Sequence, residues 1–153
     1  MVSKRGFAAL LACLALAQPA AAQSDADIKR AMGEVAGELQ QCSVYFLVVT
    51  ACIAEQRPDL AHTYQELADK VGKLAIASGR VVGVSDQAYA AQANLYTQAM
   101  MTSMGGNCTN IAVLLQRYSN FCQRLSQDAD PRLKEWIACA RSRRQTCDGP
   151  TLP

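Results

Sequence analysis

Eight apolar positions, Ile28, Met32, Val35, Leu39, Cys42, Phe46, Val49 and Ile53, recur at alternating steps of four and three residues. Only an α-helix gathers such positions onto one stripe. At 1.5 Å of rise per residue the helix is roughly 45–50 Å long. Ser24 can cap its start, with Asp25 and Asp27 near the positive end of the helix dipole. Pro58 pushes Arg57 out of helical geometry, so the helix should run to about Gln56. Off the stripe its first half is polar: Lys29, Arg30, Glu34, Glu38 and Gln40. Its second half contains CSVYFLVVTAC, residues 42–52, and is apolar nearly all round. That half belongs at the centre of a bundle.

The residues before the helix read as an export signal. Lys4 and Arg5 precede FAALLACLALA, which is shorter than the roughly 20 residues needed to span a bilayer. Ala20 and Ala22 then occupy the small-residue positions of a cleavage site, so residues 1–22 are expected to be removed. LLAC, ending at Cys13, offers a rival lipidation site. The apolar run before Cys13 is short and a second run follows it, which favours cleavage after Ala22. No other apolar run approaches 18 residues, so no transmembrane helix is expected after cleavage. Residues 23–153 then form one domain, with a loose tail from about 144.

The signal carries two of the 15 basic residues and none of the 13 acidic ones, so the mature chain holds 13 of each. A neutral chain lacks the basic excess of a nucleic-acid binder. The alanine-rich signal is bacterial in style and places the protein in the periplasm of a Gram-negative cell or outside it. That origin argues against glycosylation at NCT, residues 107–109.

The rest of the chain is also helical in pattern. Pro58 and Asp59 start a second helix with the stripe Leu60, Tyr64, Leu67, Val71 and Leu74, and Gly79 is its expected stop. Ser85 caps a third, with Tyr89, Ala93, Tyr96, Met100 and Met104 inward, ended by Gly105 and Gly106. Asn107 caps a fourth, carrying Ile111, Leu114, Leu115, Tyr118, Cys122 and Leu125. Asp130 caps a fifth, with Pro131 first and Leu133, Trp136, Ile137 and Ala140 following. No segment alternates with period two. The connections are short, and the fold class is therefore all-α: an up-and-down bundle of about five helices, disulfide-stapled.

Helix geometry limits which of the six mature cysteines can pair. Cys42 and Cys52 are held about 15 Å apart along the first helix, and Cys108 and Cys122 about 21 Å apart along the fourth. A disulfide tolerates less than about 7 Å between α-carbons. In an up-and-down chain the end of the first helix and the start of the fourth meet at one end of the bundle. The expected ladder is Cys52–Cys108, Cys42–Cys122 and, in the tail, Cys139–Cys147. The two long bridges should each contribute roughly 3–4 kcal/mol.

Chemistry-bearing constellations are sparse. No cysteine pair has metal-ligand spacing, and no cofactor is expected. His62 is the only histidine, and no G-x-S-x-G elbow accompanies it. Met100, Met101 and Met104 offer soft sulfur to Cu(I), although methionine also fills irregular core gaps. Glu34 with Glu38, and Glu66 with Asp69, fit solvated helix faces better than a catalytic cleft. Residues 117–153 carry a net charge of +3, densest at Arg141, Arg143 and Arg144, which could dock an acidic partner or complement a helix end. The preferred reading is an exported, non-enzymatic helical module that binds a protein or envelope partner. A hydrolase with a site assembled only in three dimensions, and a small-ligand or copper carrier, are the alternatives.

Overall fold

Tyr45 and Leu39 lie among the largest fully buried side chains, and both sit on the long first helix, α1 (Ala20–Ile53). The structure, a computed structural model, describes the backbone of residues 20–142 and side chains from Ser24 onward. The signal residues before 20, Arg143, Arg144 and Cys147 fall outside that range. Within it, α1 is followed by α2 (Pro58–Val82), α3 (Asp86–Ser103), a short 3-10 turn (Cys108–Asn110), α4 (Ala112–Gln127) and α5 (Asp130–Arg141). No strand occurs among the described residues. The fold is an all-α bundle in which α2 to α5 all pack against α1.

The central role of α1 follows from its stripe. Val35, Leu39, Cys42, Phe46 and Val49 are buried, and Val44, Tyr45 and Val48 are buried on its other faces. The helix ends at Ile53, about one turn before the expected stop, where the amides of Gln56 and Arg57 both turn back to the Ile53 carbonyl. Ser24–Ile53 is also long and apolar enough to cross a membrane by length and composition, with a hydropathy of 1.2. More than half of its most apolar window is buried by the rest of the protein.

The buried face of α2 differs from the expected one. Of the predicted stripe only Val71 is fully buried, while Leu60 and Leu74 are 38% and 43% exposed. The buried positions are instead Ala61, Ala68, Val71, Ala75 and Gly79. Small residues win because the two backbones run close together and antiparallel. Ser43 Oγ donates to the Ala68 carbonyl at 2.9 Å, and a Cβ on Gly72 would lie 2.9 Å from that same oxygen. Nor does Gly79 stop the helix, which continues to Val82 and ends at Gly83 with φ of 91°. There the amides of Gly83 and Val84 bond the carbonyls of Arg80 and Gly79 in a Schellman turn, with Val84 resting over Gly79.

The other helix ends follow their capping residues with two shifts. Ser85 accepts from the Ala88 amide as expected. Asn107 accepts from the Thr109 amide, but it caps the 3-10 turn, and α4 starts only at Ala112. At α5 the side chain doing the capping is Asp128, which accepts from the Asp130 amide at 2.9 Å, so Asp130 lies inside the helix.

Two rungs of the disulfide ladder are present. Cys42–Cys122 and Cys52–Cys108 have α-carbons 5.2 and 5.3 Å apart, so α4 runs antiparallel to α1. Bridges between such distant segments point to an oxidising, exported environment. Cys139 is itself disulfide-bonded, and its expected partner, Cys147, lies outside the described residues.

Candidate functional site

The short α4–α5 connection aims one cation back into the bundle. Asp128 fixes the start of α5, Pro131 occupies its first turn, and Arg132 then points toward α1. Its side chain is only 9% exposed, and that of its partner, Glu38, is 12% exposed. Arg132 Nε lies 2.8 Å from Glu38 Oε2, its Nη2 donates to Glu38 Oε1, and its Nη1 lies 2.7 Å from Glu135 Oε2. Trp136 Nε1 also donates to Glu38 Oε1, at 3.2 Å. The guanidinium stacks 5.0 Å from the Trp136 ring centroid and 5.9 Å from that of Phe121. Burial works against the cation, but Glu38 and Glu135 outweigh it and hold its pKa above the ordinary arginine value.

This cluster closes the inner wall of a cleft of about 440 Å³. Phe121, Leu125 and Pro131 supply apolar surface, while Arg124, Gln127, Asp128 and Glu135 supply polar groups. The cleft can hold a ligand with an apolar part and a polar rim. Its two carboxylates are already engaged, Asp128 as a cap and Glu135 with Arg132. Among the described residues, no hydroxyl, thiol or imidazole lines it.

The residues singled out from sequence are dispersed. His62 lies on an exposed turn of α2, 3.7 Å from Glu66, with 74% of its side chain exposed. Met100 and Met104 are buried in the apolar core with Met101 packed beside them. No group of three His, Cys, Asp or Glu side chains could hold a metal among the described residues. Glu66 and Asp69 are exposed, as expected, and Asp69 accepts from Gln65. Glu34 is exposed, but Glu38 is not on a solvated face: Arg132 and Trp136 cover it. Arg141 is exposed in the last turn of α5.

Sequence reasoning missed the Arg132–Glu38 pair. Each residue looks like ordinary helix surface, and nothing in the local pattern links them. The one available signal was the flanking aromatics, since Phe121 and Trp136 are the ring types on which a guanidinium stacks. Comparison with protein-family models, curated proteins and solved structures gives no match.

Proposed function

We propose that the mature chain is an exported, non-enzymatic helical module that binds a protein or envelope component at the α4–α5 corner. The observation carrying this reading is the cleft: an apolar floor and charged edges, with no nucleophile or free general base among the described residues that line it. Its inner wall is preorganised, because Arg132 is locked between two carboxylates and two rings. Preorganised surfaces lose little entropy on binding. The disulfides and the signal-like first residues support a periplasmic or secreted location for this activity.

Site-specific photo-cross-linking tests the proposal. A probe in place of Gln127 at the cleft should capture one recurrent partner in intact cells. The same probe in place of Leu95, an exposed residue of α3, should not. Equal capture from both positions, or hydrolytic turnover by the purified protein, would overturn it.

A further inference from the structure

One line of apolar residues on α2 is left partly open, with Leu67 packed against the core and its neighbours in the line reaching solvent. Leu60, Leu67, Leu74 and Val81 recur every seven residues, and three of them are 38%, 43% and 64% exposed (Leu60, Leu74 and Val81). Scattered exposed leucines are ordinary, but four in a row along one helix form a seam. Thr63, Lys70 and Ala77 interleave with them at the three-four spacing of a coiled-coil contact, and all three are exposed. A shallow groove on this face is lined by Glu66, Asp69, Lys70, Lys73 and Leu74.

The charges beside the seam say what fits it. Asp59, Glu66, Lys73 and Arg80 also recur every seven residues, one position before each apolar residue of the line. The first two are acidic and the last two basic, so the row is complementary to itself only when reversed. Laid antiparallel on a second copy, Glu66 meets the partner's Lys73 and Asp59 meets the partner's Arg80. In that register Leu67 packs against the stem of the partner's Lys70, Leu60 against the partner's Ala77 and Leu74 against the partner's Thr63. Laid parallel, Asp59, Glu66 and Lys73 would instead face the partner's Tyr64, Val71 and Ser78, which offer them no opposite charge. Lys70 sits near the twofold axis, and its Nζ is drawn aside to the Ser126 carbonyl at 2.7 Å, which leaves its methylenes over the seam.

We propose that α2 is a self-association surface on which a second copy of the chain docks antiparallel, joined by the Leu60–Leu67–Leu74 seam and by reciprocal Glu66–Lys73 and Asp59–Arg80 pairs. The present partners of these charges do not oppose it. Arg80 with Asp86 and His62 with Glu66 are exposed pairs, and exposed pairs exchange at little cost. The surface shares no residue with the α4–α5 cleft.

Sedimentation velocity of the oxidised protein across the micromolar to millimolar range tests the proposal. The wild type should form a dimer. Leu74→Asp should be monomeric while keeping the helical circular dichroism of the wild type, and Leu95→Asp on α3 should still dimerise. Glu66→Lys or Lys73→Glu alone should each weaken the dimer about tenfold, because two symmetric attractions become repulsions. The double swap should restore wild-type association, since the reversed row is again self-complementary. A wild type that stays monomeric, a dimer indifferent to Leu74→Asp, or a double swap no better than either single change would overturn it.

Discussion

Arg132 lies 94 residues from Glu38 in the chain and beside it in the fold, with both side chains nearly buried. The pair ties α5 to α1 at the depth where α4 ends. Taking either ion out of water costs several kcal/mol, and the bidentate contact recovers that only while both partners are present. The pair is therefore a constraint on how α5 docks rather than a large net source of stability.

Removing one partner should be costly, and removing both should not. Glu38→Ala strands the guanidinium and the Trp136 donor, and should destabilise by about 3 kcal/mol, with Glu135 moderating the loss. Glu38→Leu with Arg132→Met replaces the pair by apolar volume and should recover most of that. Urea denaturation of the two singles and the double gives the coupling. A cost below about 1 kcal/mol for Glu38→Ala would show that the pair is solvated after all.

The Tyr45 hydroxyl is buried and has no hydrogen-bond partner among the described residues. Its pKa is raised well above the usual tyrosine value, first by burial and then by the neighbouring Tyr64. Burial likewise raises Tyr89 and Tyr96. The folded state thus favours the neutral phenols. Their contribution is complete below the unfolded pKa of about 10 and is lost as the pH rises beyond it. The protein should unfold in alkali, with phenolate absorbance appearing together with the loss of helical circular dichroism. Tyr45→Phe removes an unsatisfied hydroxyl, so it should stabilise at neutral pH by up to about 1 kcal/mol and move the alkaline midpoint upward.

The two bridges differ in access. Cys42 and Cys122 are fully buried, whereas Cys108 is exposed at the start of the 3-10 turn. Thiol–disulfide exchange requires a thiolate to reach a sulfur. Mild dithiothreitol should therefore open Cys52–Cys108 first and leave Cys42–Cys122 intact until the bundle unfolds. Alkylation followed by peptide mapping reads the order directly. By chain entropy the bridges, spanning 80 and 56 residues, should each contribute about 4 kcal/mol.

What was legible in the sequence was periodicity and length. The α1 stripe, the capping residues Ser85 and Asn107, and the paired glycines 105 and 106 all act through local geometry, which sequence carries. Helix rise excluded Cys42–Cys52 and Cys108–Cys122 before any packing was known, and the up-and-down topology then chose the two rungs that are present, Cys52–Cys108 and Cys42–Cys122. The face of α2 was misread because hydrophobicity and burial part company at a close helix contact. Ala61, Ala68, Ala75 and Gly79 are buried for their small volume, while the larger Leu60 and Leu74 beside them stay partly in water. The α4–α5 cleft was not legible at all, since Arg132 gains its meaning from a carboxylate ninety-four positions away.

The same contact gives a prediction whose sign can be inverted. Gly72→Ala places a methyl 2.9 Å from Ser43 Oγ, closer than side chains sit in real structures. Alanine improves helix propensity by about 1 kcal/mol. Against that, the hydroxyl must give up its bond to the Ala68 carbonyl or the helices must part, at about 1–3 kcal/mol. The single substitution should therefore destabilise by about 1 kcal/mol. In a Ser43→Ala background the obstructing oxygen is gone, and the nearest remaining atom, Ser43 Cβ, is an ordinary 3.7 Å away. There the same Gly72→Ala change should stabilise by about 0.5–1 kcal/mol. Chemical denaturation of the four proteins in this cycle decides it. A coupling near zero would mean that α1 and α2 are not in close contact at this point.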